Sequence, residues 1–225
     1  MNLPEPDDCI DIHTHNAKPV EGIFAVENLM AHENLMPGTI TAKAFTAGIH
    51  PWHLNEYNRD QLLEYVSNVA SDPNLIAFGE AGFDKLRGPS VELQTSTFAE
   101  QVKIAGDYNK PLVIHCVRAW EELLAAHRNM KPLTPWLVHG FRGKKELALQ
   151  LIKRGMYLSF WFDFVLRPES AELLRFLPND RIFLETDGAD VDIRDIYRKV
   201  SIDLGMDVDE LKKIVFNNFN ALFSM

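Results

Sequence analysis

Cysteine is nearly absent from this sequence: of 225 residues, only Cys9 and Cys116 carry a thiol. Both sit inside apolar runs, so a disulfide framework is excluded and a reducing, cytoplasmic setting is expected. Long uncharged stretches are missing too. The apolar runs, Trp161–Phe162 and its neighbours included, meet a charge well before the roughly 18 residues a membrane-spanning helix needs. Basic residues are outnumbered, 23 against 32 acidic, for a formal charge of −9. That balance argues against a protein that wraps nucleic acid by charge alone. Residues Met1–Asp8 hold Glu5, Asp7 and Asp8 and no base, unlike a secretory signal. No repeat, low-complexity tract or long linker divides the chain. With 46% apolar and 24% charged residues, it is expected to fold as one domain over 1–225.

What is present is a recurring unit: a short β-rich run ending in polar residues, usually followed by a helical pattern. The runs are Cys9–His13, Gly22–Glu27, Lys43–His50, Leu75–Glu80, Pro111–His115, Pro135–His139, Met156–Phe160 and Arg181–Asp187. Amphipathic stretches fall at Asp60–Ala70, Val91–Tyr108, Trp120–Asn129, Lys144–Arg154, Glu169–Phe176 and Asp207–Phe223, with Ser90 and Asp207 placed as caps. Continuous apolar strands alternating with helices indicate a parallel sheet covered by helices, and eight strands suggest a closed (β/α)8 TIM barrel. Thr14–Glu21 is too short for a crossover helix, so helices in the first third are expected to be missing or irregular. A doubly wound open sheet is the competing fold, but no glycine-rich phosphate turn follows the first strand.

Four histidines and two carboxylates end these runs. His13 and His15 are two apart in Asp-Ile-His-Thr-His; His115 ends Leu-Val-Ile-His and His139 ends Trp-Leu-Val-His; Glu80 and Asp187 hold equivalent places. The C-terminal ends of barrel strands converge on one mouth, which would aim all six at one spot. Two carboxylates buried together without a cation cost several kcal/mol. A divalent metal removes that cost, since neutral imidazoles and carboxylates are its natural ligands. Six ligands exceed one tetrahedral ion and suit two. A carboxylate such as Glu80 can bridge ions about 3.5–4 Å apart. Two such ions would leave the mouth locally positive and favour an anionic ester or phosphate. The donor set suits Zn²⁺, Mn²⁺ or Fe²⁺, and Mg²⁺ only with several retained waters.

These residues resemble the TatD family of metal-dependent hydrolases, within the amidohydrolase-like barrels. The matching segments, in family order, are Asp11-Ile12-His13-Thr14-His15, Gly48-Ile49-His50-Pro51, Gly79-Glu80-Ala81-Gly82-Phe83-Asp84, Ile114-His115, His139-Gly140-Phe141-Arg142-Gly143 and Glu185-Thr186-Asp187. The resemblance implies a TIM barrel holding one or two divalent ions and hydrolysing phosphodiesters of DNA. It implies that His13, His15, Glu80 and Asp187 hold one metal, and Glu80, His115 and His139 the other. Asp187 would orient or deprotonate the attacking water, and His50 would face the substrate phosphate.

The chain departs from the family pattern in several places. Gly188-Ala189 follow Thr186-Asp187 without the usual proline, and the segment Asp190–Gly205, whose counterpart lines the family's substrate channel, is short and acidic. Arg118 stands three places after His115 instead of two, and Trp52 replaces the second histidine of the usual His-Pro-His, with His53 next. Trp52 and His53 could stack a base or contact phosphate, or simply pack a loop. Lys85, Arg118 and Arg142 could bind an anionic group, or be solvated or paired at the mouth. Cys116 is expected to pack under a helix, and His32 and His127 to serve surface or loop roles. The reading is a two-metal hydrolase of phosphodiesters, exonuclease-like, with DNA or another phosphodiester as a transient partner and no membrane or stable protein partner. Hydrolysis of a carboxylic ester or amide by the same centre, and a metal-stabilised module without catalysis, are the alternatives.

Overall fold

The computed structural model describes residues 3–223; Met1 and Asn2, which open the acidic leader, and Ser224 and Met225 lie outside the described residues. Eight strands form one sheet in sequence order, and every ladder is parallel. They are β1 (Cys9–Thr14), β2 (Ile23–Met30), β3 (Ala44–Gly48), β4 (Leu75–Asp84), β5 (Leu112–Val117), β6 (Trp136–Val138), β7 (Tyr157–Trp161) and β8 (Ile182–Glu185). Helices α1 (Arg59–Val69), α2 (Val91–Asp107), α3 (Trp120–Met130), α4 (Lys145–Ile152), α5 (Phe162–Val165), α6 (Pro168–Phe176), α7 (Ile193–Leu204) and α8 (Val208–Phe223) follow the later strands. The result is a nearly closed (β/α)8 barrel. Among the described residues ahead of α1 there are only single 3-10 turns, at Ala31–Glu33, Pro37–Thr39 and Pro51–His53, so the first third is as thin as expected.

Strand composition explains burial on both faces. All ten residues of β4 and all six of β1 are buried, which suits strands with helices outside and packed side chains within. Between β4 and β5 the backbones run so close that only glycine fits. A Cβ on Gly79 would lie 2.2 Å from the Val113 carbonyl oxygen, and one on Gly82 would lie 2.0 Å from that of His115. Both glycines also hold positive φ, +123° and +148°. This close approach brings Glu80 on β4 beside His115 on β5.

Helix α2 fixes the ends of β3 and β4 through two buried amides. Gln101 accepts the Ile49 N–H (2.7 Å), while Gln94 accepts the Asp84 N–H (2.8 Å) and donates to the Asp84 carbonyl (3.0 Å). Ser90 caps this helix as expected, its hydroxyl accepting from Leu93 N–H.

Closure between β8 and β1 is made differently. Among the described residues no ladder joins them, and side chains with one backbone bond take its place. The Tyr197 hydroxyl on α7 accepts the Ile10 N–H (3.0 Å) and donates to the Ile10 carbonyl (3.1 Å). Above it, Asp11 accepts both the N–H (2.9 Å) and the hydroxyl (2.6 Å) of Thr186, and Asp187 N–H bonds the His13 carbonyl at 3.1 Å. Helix α7 is the main addition to the sequence reading. The segment 190–205 is a packed helix over most of its length, with Ile193, Ile196, Tyr197 and Val200 buried, the Asp192 side chain as its N-cap and Gly205 in the left-handed conformation at its end. Its acids and bases pair with one another: Asp192 with Arg194, Asp195 with Arg198, Lys199 with Asp203.

Tyr197→Phe keeps the ring but leaves the buried Ile10 N–H and carbonyl without partners. We expect a loss of about 1–3 kcal/mol, seen as a Tm lower by roughly 2–10 °C for a chain of this size. An unchanged melting curve would show that water satisfies the seam.

Candidate metal centre

The six residues that end the strands converge at the C-terminal mouth. Glu80 lies at the centre, 3% exposed, and its two oxygens face different neighbours. Oε1 lies 2.6 Å from His139 Nε2, 2.8 Å from His115 Nδ1 and 3.2 Å from His50 Nε2. Oε2 lies 3.5 Å from His13 Nε2 and accepts from Asn28 Nδ2 at 3.2 Å. Beyond His13, Asp187 Oδ1 stands 3.6 Å from His13 Nε2 and 3.8 Å from His15 Nε2. Three groups thus have ligand-type atoms within 4.8 Å of one another: His13, His15 and Asp187; His13, Glu80 and His139; His50, Glu80 and His115.

The electrostatics follow from this crowding. Burial opposes the charge on Glu80, yet the imidazoles of His139, His115 and His13 hold its carboxyl well below the usual carboxylate range. Burial likewise opposes a charge on His139, while Glu80 and Glu185 hold its imidazole well above its ordinary value. Burial, with His13 beside it, pushes His15 down to about 4, so its imidazole is neutral near pH 7. Burial raises the carboxyl of Asp187.

The residues present fit divalent metal. His13 is fully buried, and both of its ring nitrogens lack a hydrogen-bond partner. A buried imidazole with two orphaned nitrogens is costly unless something else binds it. The atoms facing it are carboxylate oxygens and other imidazoles, the donor set of Zn²⁺, Mn²⁺ or Fe²⁺.

A profile of the family described as TatD related DNase matches residues 15–224. The chain belongs to this family. The matched stretch begins at His15, so His13 and the rest of β1 enter the TatD site on the geometry above. The chain is 34% identical over 165 residues to the 3'-5' ssDNA/RNA exonuclease TatD of Cronobacter turicensis, covering 68% of this chain and 60% of that protein. It is 29% identical over 199 residues to the metal-dependent hydrolase YcfH of Escherichia coli K12, covering 80% of this chain and 73% of that one. The fold matches the crystal structure of YJJV, a TatD homologue from Escherichia coli K12, with a TM-score of 0.82 at 20% identity over 98% of this chain and all of that one. A TatD family hydrolase from Entamoeba histolytica matches with a TM-score of 0.79 at 19% identity, over 97% of this chain and 99% of that one.

Around this TatD-type centre lie residues to which sequence reasoning gave no role. Glu185, fully buried, approaches His139 Nδ1 at 3.5 Å with one oxygen and accepts from Ser159 Oγ with the other (2.5 Å). Asp84 faces His115 Nε2 at 3.3 Å. Asn28 donates to Glu80. The Glu185-Thr186-Asp187 and Gly-Phe-Asp84 segments held a signal for two of them, whereas nothing near Asn28 in the sequence marks it. Of the residues expected at the substrate side, His50 points into the centre and His53 stacks on His32 with ring centroids 3.5 Å apart. Lys85 pairs with Glu122 (2.5 Å) and Arg142 lies over the Trp161 ring at 4.6 Å. Arg118, exposed and with φ +54°, makes no ion pair among the described residues. Cys116 is half-buried, and His127 packs edge-on against Trp136.

Glu185→Gln removes the carboxylate behind His139 while keeping its volume. We expect divalent-metal affinity to fall about 10–100-fold, as for other partners of ligating histidines. Calorimetric titration with Zn²⁺ or Mn²⁺ measures it; a change below twofold would show that Glu185 does not orient His139.

Proposed function

We propose that this chain is a two-metal hydrolase of phosphodiesters, trimming nucleic acid from an end. The observation that carries the reading is the division of Glu80: one carboxylate oxygen faces His13, the other faces His115 and His139. That division supports a bridge, with His13, His15, Glu80 and Asp187 as ligands on one side and Glu80, His115 and His139 on the other. When bound, the ions supply a positive centre that makes water more acidic and offsets charge developing on a phosphoryl oxygen.

The chain's own groups do the rest. His50 accepts the Trp52 N–H at Nδ1 (3.1 Å), so its neutral ring carries the proton on Nε2. Nε2 is then a donor aimed into the centre, suited to a phosphate oxygen rather than to a metal. Asp187 is 27% exposed at its side chain. Its carboxylate orients an attacking water and takes its proton at a carboxylate oxygen. Arg118 and Arg142 stand on the rim beyond His115 and His139, where a guanidinium meets the next phosphate along a strand. Lys85 and His53 belong to the same rim; the Glu122 carboxylate already holds the lysine, which leaves it the weaker contributor.

The exonuclease named among the relatives supports single-stranded or frayed DNA or RNA as the substrate. The site draws on β1, β3, β4, β5, β6 and β8 together, which supports reading residues 1–225 as one catalytic domain. No described helix is long and apolar enough to cross a membrane. The free thiols of Cys9 and Cys116 support a cytoplasmic setting.

A substrate panel tests the activity: labelled oligonucleotides, an aminoacyl ester and a cyclic amide, each with Mg²⁺, Mn²⁺ or Zn²⁺. Stepwise shortening of the oligonucleotide is expected. Turnover of the carbonyl substrates alone would overturn the reading, as would binding of the oligonucleotide without cleavage under every ion.

Glu80→Gln tests the bridge. It keeps the volume and removes the shared charge, so metal content should fall from two ions per chain and nearly all turnover should be lost. His139→Ala should empty one site and leave the His13, His15 and Asp187 side loaded. Both variants are expected to stay folded, because the ligands sit above the packed barrel core. Retention of both ions and normal turnover by Glu80→Gln would refute the bridged centre.

A further inference from the structure

Asp84, at the end of β4, is 3% exposed, collects three N–H donors and faces a ring nitrogen of His115. Its Oδ1 accepts the backbone N–H groups of Leu86 (2.7 Å) and Arg87 (3.0 Å). Its Oδ2 accepts the indole N–H of Trp52 at 2.6 Å and faces His115 Nε2 at 3.3 Å. The two backbone bonds anchor one oxygen. Rotation about the Cβ–Cγ bond is then set by what holds the other, and the indole is the shorter of its two contacts.

The direction of that rotation matters for His115. A neutral imidazole that donates its Nε2–H in a hydrogen bond to a carboxylate keeps a lone pair on Nδ1. His115 Nδ1 is the atom that meets Glu80 Oε1 at 2.8 Å. Trp52 belongs to a different segment, the turn after β3, and reaches the surface: it is 39% exposed, with the Arg87 guanidinium 4.1 Å above its ring. A line of contacts therefore runs from the rim through Trp52 and Asp84 to His115. The family pattern has a histidine where this chain has the indole.

We infer that Trp52 is a positioning residue for the metal centre: its indole N–H fixes the Asp84 carboxylate so that Asp84 holds the His115 ring with Nδ1 toward Glu80. The inference rests on the reading of His115 as a metal ligand. It is independent of which substrate is cleaved. A residue that merely packs the rim would tolerate any ring of similar size; this role requires the N–H.

The test uses the full chain with Trp52→Phe, Asp84→Asn and the double variant. Zn²⁺ binding is followed by calorimetry, and the His115 ring protons by ¹⁵N-resolved NMR in both the metal-free and the Zn²⁺-loaded protein. Trp52→Phe keeps a ring beneath Arg87, so little change in Tm is expected. Zn²⁺ affinity is expected to fall about tenfold, and the His115 Nε2 proton, expected to exchange slowly in the native chain, should exchange freely in the variant. In the Asp84→Asn background the same substitution should add less than a twofold further loss, because its effect passes through Asp84. Arg87→Ala leaves the indole N–H in place and should leave Zn²⁺ affinity unchanged. The inference is overturned if Trp52→Phe binds Zn²⁺ within twofold of the native chain, if the losses from Trp52→Phe and Asp84→Asn multiply, or if Arg87→Ala alone reproduces the loss. Should the native chain bind no Zn²⁺, the metal-centre reading fails, and proton exchange in the metal-free protein still decides the Trp52 link.

Discussion

A carboxylate buried among imidazoles is the interaction on which this molecule turns. Glu80 has no access to bulk water, so its charge must be met by protons on its neighbours or by cations between them. Every element at the mouth answers that demand. Strand β4 brings Glu80 in, and β5 can lie close enough to deliver His115 only because Gly79 and Gly82 carry no side chain. Strands β6 and β1 supply His139 and His13, and β2 supplies the Asn28 amide. The fold gathers donors around one negative charge, and a divalent ion satisfies them better than shared protons do.

The second layer keeps those donors aimed. His139 has Glu185 behind it, His115 has Asp84, and His50 has the Trp52 backbone N–H. Each places the proton or the negative charge on the side of the ring away from the centre, or fixes which nitrogen carries the proton. Gln94 and Gln101, buried on α2, hold the strand ends on which Asp84 and His50 sit. Rigidity at the mouth is thus built from amides and carboxylates outside the centre, while the apolar barrel below supplies the platform.

Much of this was legible in the sequence, and the reasons are local. Short apolar runs ending in His or Glu mark strand ends without reference to distant residues, so the eight strands and the six candidate ligands could be read directly. Helix α2 announced itself by its period and by Ser90. What escaped was long-range. Asn28 reaches Glu80 across 52 positions, and Thr186 meets Asp11 across 175, with nothing nearby to signal either. Helix α7 is a different case, since Ile193, Ile196, Tyr197 and Val200 carry a helical period between Asp192 and Gly205. Its charges drew attention toward a substrate surface, whereas they pair along the helix and leave its apolar face on the barrel. Two strands also run further than expected: β2 continues to Met30 and β4 to Asp84.

The Tyr197 hydroxyl stands where an eighth set of ladder bonds would otherwise be needed. A sheet closed wholly by backbone has its girth fixed by strand number and stagger, and adjusting it means rebuilding the sheet. Here one junction in the ring is made by side chains, a phenol carried on a helix among them, together with one backbone bond. The gap between His13 on one side and Asp187 on the other is therefore set by a few contacts: the Asp187 N–H on the His13 carbonyl, the Asp11–Thr186 pair, and below them the phenol with the seating of its helix. Substitutions at these few contacts can alter the spacing of that pair while leaving every strand of the barrel as it is.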